Sequence, residues 1–228
     1  MDNTRYKQWR KAKLDDYPAS LEKLCVDVDG LKRVTGDERA AIIARVRQFY
    51  MCIYLCRDLA ADRSAVRELD GMFGQHRPDM HLCANDDGVS ELSVAVEGVR
   101  NDYVPYSNRG LSWHTDGYYN APSQRVRAVV LHGAVAAACG GENALLDPDI
   151  AYLRLRDEDP RLIKAFDHPE CMPIPAYRGA EGEIRPEVTG PVFSYENEGA
   201  IHMRYTARTK NIRWREDALT RAAREFLN

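Results

Sequence analysis

Short apolar runs interleaved with amphipathic stretches, in no regular order, constrain this chain more than any other feature of its sequence. Helical spacing is clearest after Thr35-Gly36-Asp37-Glu38, where Thr and Glu three residues apart supply capping chemistry for a helix starting near Asp37. Ile42, Ile43, Val46, Phe49 and Tyr50 then recur on one face. Met51–Leu55 reads as a first core strand, and 62–74 as a second helix with Val66, Leu69, Met72 and Phe73 inward. The stretch from His76 to Asn108 is loop-rich, broken by Asn85-Asp86-Asp87-Gly88 and Asn101-Asp102. Val126–Leu131 is a strong strand candidate, closed by Gly140-Gly141. Ile150–Leu155 and Pro160–Phe166 read as short helices. Pro191–Tyr195 and Ala200–Tyr205 flank Glu196-Asn197-Glu198-Gly199 as a hairpin, and Asp217–Leu227 closes the chain as an amphipathic helix. Strands bracketed by helices, without βα alternation, predict an α+β fold.

A length of 228 residues fits one domain, 1–228, since single cores stop growing only beyond roughly 250–300 residues. Thirty-two Lys+Arg against 35 Asp+Glu give a net charge of −3, without the basic excess of a nucleic-acid binder. No stretch approaches the roughly 18 apolar residues of a membrane helix. The polar N-terminal segment MDNTRYKQWRKAKLDDYP lacks the apolar core of a secretory signal. Cys25, Cys52, Cys56, Cys83, Cys139 and Cys171 form no CxxC pair and read as reduced thiols, so the expected location is cytoplasmic. Cys52 and Cys56 sit in an apolar run and read as buried hydrophobes rather than a redox pair.

The segment that carries chemistry is Trp113-His114-Thr115-Asp116-Gly117. Residues two apart on a strand share a face, so the His114 imidazole and Asp116 carboxylate can converge. A nitrogen and a carboxylate oxygen side by side form two corners of a 2-His-1-carboxylate site for Fe(II). An ordinary surface ion pair is the alternative reading of the same two residues. Tyr118, Tyr119 and Asn120 either line a pocket or simply pack, and the polar Tyr106-Ser107-Asn108-Arg109 suits a lid. Of Arg204, Tyr205 and Arg208, one can hold an anionic substrate, or all can serve as solvated or ion-paired surface.

Together with the residues after it, this segment resembles the TauD/TfdA family of Fe(II)/2-oxoglutarate dioxygenases, including relatives of the clavaminate synthase and glutarate hydroxylase type. The matching words are Trp113-His114-Thr115-Asp116-Gly117-Tyr118, Pro122, the apolar run Val126–Leu131, Gly140-Gly141-Glu142-Asn143 and Asp149-Ile150-Ala151-Tyr152. The likeness is specific over about residues 105–165. It implies a double-stranded β-helix (jelly-roll) core with flanking helices, and His114 and Asp116 as iron ligands. Asn143 falls where the family has a Thr that bonds 2-oxoglutarate. Asn carries both a donor and an acceptor and can serve there, or it can merely end the Gly-Gly turn.

The family's distal His and the Arg beyond it admit two readings here. On one, His202 is the third iron ligand and Arg213 binds the 2-oxoglutarate carboxylate, for which a guanidinium is well matched. His132 and His168 are the other downstream histidines, placed on a strand rim and in a loop. On the other reading, Ala200–Arg208 is the strand before the family's final elements, and the chain is incomplete at its C-terminus. An unfinished sheet edge would then favour a partner or a homo-oligomer. The implied function is hydroxylation of a small-molecule substrate with O2, Fe(II) and 2-oxoglutarate, without nucleic-acid or membrane partners. The alternatives are a truncated, catalytically silent homologue acting as a binding or assembly subunit, and, less favoured, a hydrolytic metal enzyme. The substrate itself is not legible.

Overall fold

A computed structural model describes residues 3–57, 62–74, 88–95, 104–179, 182–196 and 200–228. Cys83, most of the loop-rich stretch after His76, and Asn197-Glu198-Gly199 of the expected turn lie outside the described residues. The chain divides into two compact units. One holds the N-terminal elements together with Val130–Asp147; the other holds the stretch ending at Val129 together with Pro148–Asn228.

In the first unit, β1 (Cys25–Val28) and β2 (Ile53–Cys56) pair in parallel, Cys25 opposite Ile53 and Val28 opposite Cys56. Parallel neighbours cannot be joined by a tight turn, and α2 (Gly36–Phe49) supplies the crossover. Its start is the expected capping box: the Glu38 N–H donates to Thr35 Oγ1, and the Thr35 N–H donates to the Glu38 carboxylate at 2.7 Å. Val28, Leu31 and Ile42 pack with Ala65 and Leu69 of α3 (Arg63–Met72) into this unit's core. The apolar face expected on α2 is narrower than its sequence suggests, because Ile42 and Phe49 are buried while Val46 and Tyr50 are exposed. An N-terminal helix, α1 (Asn3–Asp15), is not legible in its polar sequence. It is anchored by buried Tyr6 and by the Lys13 ammonium, 2.7 Å from the fully buried Asp147 carboxylate.

The second unit is built from α4 (Pro148–Glu158), α5 (Pro160–Phe166), two short hairpins and α6 (Ala218–Leu227). The hairpins are β3 (Tyr177–Gly179) with β4 (Gly182–Arg185), and β5 (Phe193–Tyr195) with β6 (Ile201–Met203), both antiparallel. The β5–β6 pair fulfils the hairpin read from the sequence, with Ser194 opposite His202. Phe166, Phe193, Tyr205 and Trp214 gather their rings beneath it; the Phe166 and Trp214 centroids are 6.1 Å apart. Asp217 caps α6, accepting from the Leu219 and Thr220 N–H groups.

The described residues therefore form an α+β structure whose strands lie in three two-stranded sheets. One expected strand is corrected. Val126–Leu131 is described throughout and is not a strand. Its apolar, β-branched composition suits a strand, but a strand also needs a neighbour to bond, and Val129 and Leu131 stand exposed. No described helix is long and apolar enough to cross a membrane, and the described cysteines are all free thiols.

Candidate active site

The His114–Asp116 segment is positioned by the chain immediately after β6, ninety residues away in sequence. His114 and Thr206 form an isolated antiparallel bridge. The Thr115 N–H donates to the Tyr205 carbonyl at 2.9 Å, the Tyr205 N–H donates to Thr115 Oγ1 at 3.0 Å, and the Ala207 N–H donates to the Trp113 carbonyl at 2.7 Å. Thr206 is fully buried and Tyr205 nearly so, which makes the bridge a fixed platform. Past the bridge the chain turns, and Gly117 adopts φ +63°, where a side chain is disfavoured. A Cβ there would also meet Val126 Cγ2 at 2.6 Å.

A half-buried guanidinium holds the far side of this turn. Arg204 Nε donates to the Tyr118 carbonyl at 2.6 Å, Nη1 to the Met172 and Gly190 carbonyls at 2.9 and 3.3 Å, and Nη2 to the Val188 carbonyl at 3.3 Å. Burial lowers its pKa to about 10, which still leaves it charged at neutral pH. From the sequence alone, Arg204 reads only as a surface or substrate residue. The anchoring role depends on four carbonyls scattered over 118–190, and no local pattern announces that.

His114 Nε2 and Asp116 Oδ1 stand 3.3 Å apart, so the two side chains do converge. They do so through one bridge and then a turn, rather than by alternation along an extended strand. His114 Nδ1 lies 2.8 Å from the Ser112 carbonyl, which can only accept; Nδ1 is therefore the protonated nitrogen, and Nε2 faces Asp116. Hydrogen bonding to Asp116 raises the His114 pKa above its ordinary value, with burial opposing. The side chains are 29% and 50% exposed, so an ion can reach them from solvent.

This donor set fits two positions of a metal site. Two ligand atoms each about 2.1 Å from an ion and at right angles stand about 3 Å apart, close to the spacing here. The Ser112 carbonyl is the kind of outer partner that fixes a ligating imidazole's tautomer. Among the described residues no group of three His, Cys, Asp or Glu side chains is placed to hold a metal ion.

The remaining sequence candidates have other surroundings. His202, half-buried on β6, has its pKa lowered by burial first and then by the Arg125 charge. It forms no three-donor group with His114 and Asp116. Near it, Arg125 and Arg127 share the Glu196 carboxylate, with 2.8 and 2.9 Å contacts. The Arg213 guanidinium lies 3.4 Å from Glu187, while its N–H donates to the Pro173 carbonyl. Asn143 belongs to the first unit, where its exposed amide donates to the Gly141 carbonyl at 3.3 Å.

With a His-x-Asp pair displayed on a buried platform, the comparisons with known proteins define the class. Residues 36–228 match the family described as "Taurine catabolism dioxygenase TauD, TfdA family", and the chain belongs to that family. A uridine-5'-phosphate dioxygenase from Amycolatopsis sp is 30% identical over 97 residues, which are 42% of this chain and 34% of that protein. The chain thus matches about a third of that relative's length. No solved structure gives a significant match.

Proposed function

We propose that this protein is an Fe(II)/2-oxoglutarate-dependent dioxygenase that hydroxylates a small molecule, with His114 Nε2 and the Asp116 carboxylate as two of the iron's ligands. The observation that carries the reading is the 3.3 Å convergence of those two donors within a chain of the TauD/TfdA family. The chemistry supplied by bound iron and 2-oxoglutarate would be O2 activation coupled to decarboxylation of the co-substrate and hydroxylation of a substrate C–H bond.

The chain's own part is to hold and orient. The Ser112 carbonyl keeps the proton on Nδ1 of His114, so that Nε2 is the nitrogen directed toward Asp116 and the ion. The Thr206 bridge fixes the imidazole's height, and Arg204 fixes the chain after Asp116. His202 as the third ligand, with Arg213 and Asn143 as 2-oxoglutarate contacts, belongs to the same proposal. The lowered pKa of His202 favours the uncharged imidazole that a metal needs, and Arg213 would exchange Glu187 for the co-substrate carboxylate. The match over 36–228 runs through both compact units, which supports a single dioxygenase domain, for which the family implies a jelly-roll core. The Amycolatopsis relative is named for uridine 5'-phosphate; from it we take the reaction class and a small-molecule substrate.

The test is succinate formation from 2-oxoglutarate with Fe(II) and O2. His114→Ala and Asp116→Ala should each abolish it, and retained turnover in either variant would reject the assignment. A second reading, a homologue that binds or assembles without turnover, is favoured by the two-donor character of the described pair. Wild-type protein that forms no succinate would support it.

A further inference from the structure

Three guanidiniums converge on the two residues just past the His114–Asp116 turn, Tyr118 and Tyr119, and none has a carboxylate partner among the described residues. Arg204 Nε donates to the Tyr118 carbonyl at 2.6 Å. Arg185 Nη1 donates to the Tyr119 carbonyl at 3.3 Å, and its guanidinium lies 5.4 Å from the centre of the Tyr119 ring. Arg208 Nη1 reaches the Tyr118 hydroxyl at 3.4 Å. The nearby acids are engaged elsewhere: Asp116 with His114, Glu187 with Arg213, and Glu196 with Arg125 and Arg127.

The three arginines are not equivalent. Arg204 and Arg185 spend their donors on main-chain carbonyls, those of Met172, Gly190 and Val188 for the first and of Pro175 and Pro186 for the second. Arg208 has an exposed guanidinium whose phenol contact is at the outer limit of a hydrogen bond. Its main chain, however, is fixed, because its N–H donates at 3.3 Å to Oγ1 of Thr206, the residue bridged to His114. A donor-rich cation carried on a fixed main chain near the candidate metal ligands, with Arg204 and Arg185 on the same Tyr118-Tyr119 segment, attracts an anion.

We infer that the substrate carries a phosphate monoester, and that the Arg208 guanidinium, with the Tyr118 hydroxyl beside it, receives that group next to the His114–Asp116 pair. Three positive charges suit a dianion, and the planar guanidinium fork matches phosphate oxygens in pairs. The word substrate rests on the dioxygenase reading; the anion site does not.

The test titrates the metal-free protein with phenyl phosphate at fixed ionic strength, monitored by calorimetry, with phenol as the uncharged control. Saturable binding of phenyl phosphate but not of phenol is expected. Arg208→Gln should weaken it about tenfold or more, the range of a hydrogen bond to a charged group. Tyr118→Phe should weaken it less. Arg161→Gln, which removes an exposed surface charge paired with Asp159, should leave it unchanged. Non-saturable binding, or equal affinity in wild type and Arg208→Gln, would overturn the inference. In a second arm, anaerobic Fe(II) protein is titrated with 2-oxoglutarate. Arg208→Gln should bind it as wild type does. A loss confined to this arm would assign Arg208 to the co-substrate and overturn the proposal. Failure of Fe(II) and 2-oxoglutarate to bind wild type would count against the dioxygenase reading alone, leaving the phosphate arm standing.

Discussion

Two stretches carry the chain's resemblance to its family, Trp113–Tyr118 and the 126–146 stretch that holds Val126–Leu131 and Gly140-Gly141-Glu142-Asn143, yet the structure treats them differently. The first stretch is pinned on both sides, by the Tyr205–Ala207 main chain and by Arg204. The second has the more regular apolar sequence, but forms no strand, and Val129, Leu131, Val135, Leu145 and Leu146 are exposed. A motif's chemistry is written locally, whereas its placement is written wherever its hydrogen-bond partners happen to lie. For the first stretch those partners come after β6; for the second the Asn143 amide donates to the Gly141 carbonyl two residues back.

If that contrast is right, removing an anchor of the first stretch should cost far more than altering the second. Arg204→Ala strips donors from the carbonyls of Tyr118, Met172, Val188 and Gly190. The Val188 and Gly190 carbonyls keep the N–H groups of Ile174 and Met172, so the Tyr118 and Met172 carbonyls lose the donors the structure gives them, and stability should fall by about 2 kcal/mol in denaturant unfolding. The same variant should loosen His114 and Asp116, seen as weakened metal binding at temperatures where the protein is still folded. A loss below about 1 kcal/mol, the net value of a single hydrogen bond, would show that the platform does not depend on Arg204. Asn143→Ala should be the smallest effect, within about 0.5 kcal/mol, because the side chain is exposed and its bond is local. Any larger loss of 2-oxoglutarate turnover in that variant would then report a contact to the co-substrate rather than a fold defect.

Legibility in the sequence divides along the same line. The Thr35–Glu38 capping box, the helices α3 to α6 and the β5–β6 hairpin rest on neighbours within a few residues, and each is readable. The pair His114 and Asp116 is readable as chemistry, but not the bridge to Thr206 that sets it in place. Helix α1 escapes notice because its burial is confined to Tyr6 and to an ion pair between Lys13 and Asp147, far apart in sequence. The Val126–Leu131 expectation fails for the complementary reason: a period and a composition specify willingness to pair, not the presence of a partner.

The most direct measurement is an anaerobic titration of Fe(II) and 2-oxoglutarate into wild type and Asp116→Ala, read in the visible charge-transfer region. A saturable band is expected in wild type and should be lacking in Asp116→Ala. An equal band in both, or none in wild type, would contradict the assignment of His114 and Asp116 as the iron's ligands.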